Sequence, residues 1–104
     1  IDPNYEWGYI GTGLLYVDIA NNFAEIANNT MDNDEYEQAS EKSKENFRLA
    51  LPAFEKAYEI TTDKSLQLNV VSYLKQIYFM FRNESDEMMS KFEKYNDIYK
   101  ASQQ

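Results

Sequence analysis

Apolar side chains return along this chain at steps of three and four in four blocks, separated by short polar runs. Trp7, Ile10, Leu14, Val17 and Ala20 make the first stripe, and Phe23, Ile26 and Ala27 extend it. Asp2 is a helix cap, Pro3 suits the first helical position and Glu6 places a negative charge in the opening turns. The run Asn28-Asn29-Thr30-Met31-Asp32-Asn33-Asp34 is rich in cap and turn formers and is predicted to end the helix. Tyr36, Ala39, Ser43, Phe47, Ala50, Phe54, Ala57 and Tyr58 then form one long stripe, which predicts a second helix from about Glu35 to Ile60.

Pro52 lies inside that second stripe, where it removes one backbone hydrogen bond. The stripe keeps its phase on both sides, so a bend near Arg48–Pro52 is predicted in place of a break. On the polar side, Glu41 with Lys44 and Glu45 with Arg48 are spaced to pair and to offset the repulsion between Glu37, Glu41 and Glu45. Thr61-Thr62-Asp63-Lys64 predicts a turn, with Thr62 or Asp63 capping a third helix. Leu66, Val70, Tyr73, Leu74, Ile77, Tyr78 and Phe81 make that helix apolar over more than half its circumference, as a helix between two neighbours must be. Asn83-Glu84-Ser85-Asp86-Glu87 predicts a capped turn. Met88, Phe92, Tyr95, Ile98 and Tyr99 give a fourth helix one stripe, and the tail Ala101-Ser102-Gln103-Gln104 is predicted to fray.

The fold class that follows is all-α, about four helices in two antiparallel hairpins. With 104 residues the chain makes one domain at most, spanning 1–104. Nine Tyr, six Phe and one Trp supply the bulk for a modest core. Three Gly and two Pro are too few for an all-β chain with many tight turns.

Charge and composition narrow the function. The net charge is −8, and residues 1–34 hold six acids and no Lys or Arg. No basic stripe exists to neutralise phosphates, so nucleic acid is excluded as a partner, and anionic membrane surfaces are disfavoured. No apolar run approaches the roughly 20 residues of a membrane span. There is no Cys and no His, which removes thiol nucleophiles, thiolate metal sites, and the commonest general base and transition-metal ligand.

The remaining chemical motifs fail on their spacing. Gly8, Gly11 and Gly13 reverse the order of the dinucleotide fingerprint and follow no strand, so close helix packing is the expected reason for them. A calcium loop starting at Asp32 needs Gly at its sixth place and Glu at its twelfth, where Glu37 and Ser43 stand. Asn28-Asn29-Thr30 and Asn83-Glu84-Ser85 match the glycosylation pattern and are read as turns with caps. No cofactor, no metal and no catalytic residue is expected.

Ala50, Phe54 and Ala57 fall on one helical face as small, large, small, which lets a neighbouring helix approach while one aromatic fills the gap. This resembles the second helix of a tetratricopeptide repeat, with its A-x3-F signature. Upstream, Tyr9 stands in the place of the family's Trp, and Gly13 with Tyr16 matches its G-x2-Y. Asp2-Pro3-Asn4 resembles the end of a preceding repeat, and Thr62 stands where Pro is usual. A second repeat begins at Ser65, with Leu68, Val71 and Ser72 in the places of Trp, Leu and Gly, and with Lys75 departing from the family's Tyr. Leu74-Lys75-Gln76-Ile77-Tyr78 looks like the last repeats of bacterial tetratricopeptide proteins, some of them exported. Pro3 and Thr62 are 59 positions apart, where the repeat measures about 34. Sharing the surplus between two helices lengthens each by about 3.5 turns, so the first hairpin is expected to project beyond the second.

The resemblance implies a short right-handed solenoid that binds and scaffolds without catalysing. It implies a concave face lined by Trp7, Ile10, Leu14, Val17 and Asp18 from the first repeat, and by Asn69, Tyr73, Gln76 and Ile77 from the second. The partner is then a protein or peptide segment, with Asn69 and Gln76 placed to pair with its backbone and Tyr73 as an anchor. The alternative is a structural part of a larger array, a capping or self-association segment whose partners are adjacent repeats of its own chain. The chain starts at Ile1 without Met and is expected to be the C-terminal fragment of a longer chain, so its compartment, exported or cytoplasmic in a bacterium, stays open.

Overall fold

The computed structural model describes residues 5–103. It contains four helices, α1 (Tyr5–Asn29), α2 (Asn33–Ile60), α3 (Lys64–Phe81) and α4 (Asp86–Ser102), and no strand among the described residues. The expected caps at Asp2 and Pro3 lie outside the described residues.

Three short side chains start the other helices. The Asp32 carboxylate accepts from the backbone N–H of Glu35 at 2.9 Å, that of Asp63 from Leu66 at 3.0 Å, and the Ser85 hydroxyl from Met88 at 3.2 Å. Each satisfies an otherwise orphaned N–H of the first turn and is worth about 1 kcal/mol. The Asp32 cap corrects the expected boundary: α2 begins at Asn33, two residues before Glu35, and only residues 30–32 stay outside the helices. α2 runs unbroken through Pro52, whose ring is exposed. α4 extends two residues into the segment expected to fray, to Ser102, whose hydroxyl donates to the Tyr99 carbonyl at 2.6 Å.

Pairwise contacts fix the helix directions. On α1 and α2, Phe23 lies under Lys42, the Ala20 carbonyl accepts from the Ser43 hydroxyl at 2.8 Å, and Gly13 lies against Phe54. As one number falls the other rises, so the two helices are antiparallel. The same holds for α2 and α3, through Tyr58 with Gln67, Phe54 with Tyr73, and Arg48 over Phe81. It holds again for α3 and α4, through Lys75 over Tyr99, Tyr78 with Tyr95, and Phe79 with Phe92. α1 and α3 therefore run parallel. The first hairpin has arms of 25 and 28 residues against 18 and 17 in the second, so it projects further, as expected. The molecule measures 46 × 31 × 22 Å. No helix among the described residues is long and apolar enough to cross a membrane.

The core follows the stripes. Ala50, Phe54, Ala57, Leu74, Phe81 and Tyr95 are at most 1% exposed, with Ile10, Val70, Val71, Ile77 and Tyr78 packed around them. Ala20, Ala27, Ala39 and Ser43 are buried where α1 meets α2. Tyr36, on the same stripe, is 51% exposed. Arg48 also departs from expectation. It stacks over Phe81 at 4.6 Å and pairs with Glu84 in the α3–α4 turn, leaving its predicted local partner Glu45. A cross-helix contact that also covers a core aromatic outweighs an exposed local pair of a few tenths of a kcal/mol.

The three glycines divide. A Cβ at Gly13 would meet ring atoms of Phe54 at 2.6–2.9 Å, whereas Cβ atoms at Gly8 and Gly11 would meet nothing within 4 Å. Close packing therefore explains Gly13 alone. Gly8→Ala and Gly11→Ala are each expected to raise stability, by up to about 1 kcal/mol through helix propensity. Gly13→Ala is expected to lower it by about 1–3 kcal/mol, because a fully buried ring must move. Urea midpoints of the three variants check the sign at each position.

Candidate functional site

The parallel helices α1 and α3 leave a cleft between them of about 580 Å³, with α2 beneath. Trp7, Ile10 and Leu14, at steps of three and four, supply the α1 wall, and Leu66, Asn69, Val70, Ser72, Tyr73 and Gln76 supply the α3 wall. The floor includes Phe54 of α2, which is fully buried and stacks on Tyr73 with ring centroids 5.0 Å apart and planes 3° apart. Gly13 is what allows the three helices to meet there, since any side chain on α1 at that point would strike the Phe54 ring.

The cleft thus gathers Trp7, Ile10, Leu14, Asn69, Tyr73 and Gln76. Ile10 belongs to the floor, at 6% exposure, whereas Trp7 stands at the rim, 55% exposed. Two residues expected on this face lie elsewhere. Ile77 is buried in the core, and Val17 packs against the core from α1. Both are in phase with the lining rows, Val17 three positions after Leu14 and Ile77 four after Tyr73, so what removes them is packing by the neighbouring helices one turn further along. Leu66 and Val70 were legible in the same spacing as the Asn69 row. The Phe54 floor was not, because it comes from a different helix.

No Asp, Glu, Lys or Arg lines the cleft. Its polar side-chain groups are two carboxamides, two hydroxyls and the Trp7 indole N–H. Gln76 donates to the Ser72 hydroxyl at 3.2 Å, and Asn69 is exposed and makes no hydrogen bond among the described residues. A carboxamide offers both a donor and an acceptor, the pair that a peptide unit requires. The arrangement can hold an uncharged, partly apolar chain and pair with its backbone.

Tyr73 has a second role. Its stacking on Phe54 makes Tyr73→Ala a lesion of the core as well as of the cleft, so Tyr73→Phe, which keeps the ring, is the cleaner probe of the hydroxyl.

The titratable groups with perturbed behaviour lie away from the cleft, where α2, α3 and α4 meet. The Tyr78 hydroxyl donates to one oxygen of Glu55, and Lys91 donates to the other at 3.2 Å. Tyr95 stacks on Tyr78 at 5.9 Å and meets Tyr58 edge-on at 5.7 Å. Burial, then the Glu55 carboxylate, pushes both the Tyr78 and the Tyr95 hydroxyl well above the usual tyrosine range. Both stay protonated at neutral pH and act as packing elements with a polar tip. Two further recesses lie elsewhere on the surface. One of about 470 Å³ lies at the α1–α2 tip, bordered by Glu25, Ile26, Met31 and Glu35, and one of about 450 Å³ lies between α3 and α4, bordered by Leu68, Val71 and Ile98. No cluster of metal-ligating side chains occurs among the described residues.

Fold and site together define a small all-α protein with an uncharged cleft between parallel helices. Comparison with protein-family models, with curated proteins and with solved structures found no match.

Proposed function

We propose that the chain is a non-enzymatic protein- or peptide-binding scaffold module of tetratricopeptide-repeat type, two stacked hairpins in a short right-handed solenoid with an elongated first hairpin. The observation that carries this reading is the α1–α3 cleft, apolar at its floor and rimmed by Trp7, Asn69 and Gln76 with no Asp, Glu, Lys or Arg in its lining. Supporting it, the small-large-small triplet Ala50, Phe54 and Ala57 is fully buried. The expected ligand is an extended peptide segment that seats one apolar side chain beside Tyr73 and Leu14 and pairs its backbone with the two carboxamides.

Peptide display on the immobilised domain tests this. Selected peptides should lose about 5–100-fold in affinity when Asn69 and Gln76 are both changed to Ala, the loss of two hydrogen bonds. The melting temperature should not fall, since both side chains are exposed and Ala favours the helix. Peptides indifferent to that double change, or none recovered, would reject the cleft as the site. A second reading, a capping or self-association segment, draws on the exposed Leu15 and Trp7 of α1, 58% and 55% accessible. Sedimentation equilibrium separates the two readings: a mass that rises with protein concentration favours the second.

A further inference from the structure

Beyond the cleft, the α1 face that supplies Leu14 continues at steps of four, three and four through Asp18, Asn21 and Glu25, all exposed. Glu25 shares the recess at the hairpin tip with Glu35, which adds a further negative charge at that end. Among the described residues, Asp18, Glu25 and Glu35 make no ion pair. Residues 1–34 contain no Lys or Arg. The neighbouring cations are engaged elsewhere, Lys42 of α2 over Phe23 at 5.5 Å, Lys75 of α3 over Tyr99 at 4.4 Å, and Arg82, just past α3, over Phe79 at 3.7 Å. Arg48 of α2 is paired with Glu84. The concave face is therefore two-part: an uncharged apolar cleft at the start of α1, then an acidic strip along the arm that projects past the second hairpin.

We infer that the occupant of this face is a cationic peptide segment, one apolar anchor followed by Lys or Arg, lying along α1 from the cleft toward the hairpin tip. The inference rests on the cleft being a peptide site and adds the charge of its ligand. Complementary charge is the argument, since an acidic or neutral chain gains nothing from the strip, and a second copy with its own net charge of −8 is repelled. Helix geometry sets the spacing. Asp18 lies about 6 Å and Glu25 about 16 Å along the axis from Leu14. An extended peptide advances about 3.3 Å per residue, so the cations belong roughly two and five positions from the anchor.

The test uses fluorescein-labelled peptides with one Leu anchor in a Ser/Gln background. Lys, Gln or Glu occupies the positions two and five away, on either side of the anchor. Fluorescence polarisation should rank Lys over Gln over Glu, with the Lys peptide about threefold to tenfold tighter than the Gln peptide at low salt, as for two exposed ion pairs. That preference should vanish near 1 M salt. Asp18→Asn with Glu25→Gln should bring the Lys peptide to the level of the Gln peptide and leave the Gln peptide unchanged. Equal binding of all three peptides, or a Lys preference that survives the double change, would overturn the inference while leaving the cleft reading intact. Failure of every peptide to bind, or a dimer by sedimentation that excludes them, would overturn both.

Discussion

Replacing Phe54 with Ala is expected to cost about 3–5 kcal/mol of stability, a large part of the 5–15 kcal/mol that holds a typical domain together. The ring is fully buried, stacks on Tyr73, and lies against the bare backbone of Gly13. It is the common contact of α1, α2 and α3, so its loss leaves a void that no single helix can close without leaving its neighbours. Urea unfolding followed by circular dichroism measures the effect. A double-mutant cycle adds a sharper test. The penalty for Gly13→Ala comes from the Phe54 ring, so in a Phe54→Ala background the same change should become neutral or favourable, a reversal of about 2–3 kcal/mol. A penalty at Gly13 that persists without the ring would show that the glycine is needed for some other reason. The same variant should also abolish peptide binding at the cleft, whose floor Phe54 supplies.

Tyr95→Ala should be nearly as damaging, at about 3–5 kcal/mol, because this 1% exposed side chain is the main anchor of α4 on both α2 and α3. Its titration gives a second readout. The Tyr78 and Tyr95 hydroxyls titrate higher in the folded chain than in the unfolded one, so the unfolded state releases these protons first as the pH rises. Their contribution to stability is complete below pH of about 10, the ordinary tyrosine value, and declines above it. Each group adds a slope approaching 1.36 kcal/mol per pH unit in that alkaline window. Tyr95→Phe keeps the ring and removes one titrating proton, so its stability should fall less steeply than that of the parent between about pH 10 and pH 12. Parallel profiles for the two proteins would contradict this account of the cluster.

The sequence was most legible where one helix decided the outcome. The stripe from Tyr36 to Tyr58 named α2 across Pro52, and the turns at 61–64 and 83–87 marked the starts of α3 and α4, where the structure picks Asp63 and Ser85 as the caps. The greater length of the first hairpin followed from the extent of its two stripes. The α1 row of the cleft, from Trp7 to Leu14, was likewise readable as a face, since helical phase is a property of sequence order, whereas Asn69 and Gln76 entered only through the family resemblance. The three glycines were not readable, because an open position and a crowded one look alike until the opposing side chain is placed. Arg48 was misassigned for a related reason. Local spacing offered Glu45, and only the docking of the second hairpin brought Phe81 and Glu84 within its reach.

Periodicity, capping chemistry and composition thus determined four helices, their approximate ends, their buried faces, and a chain with no Cys or His to do chemistry. The tertiary structure decided which faces meet: that Gly13, Phe54 and Tyr73 converge to floor a cleft, that Ile77 turns into the core beside it, and that Tyr95 gathers three helices around Glu55. The division is physical. Helix formation depends on groups within four residues of one another. The cleft depends on contacts between residues some 20 to 60 positions apart, whose distances are set by how whole side chains interlock when the helices pack.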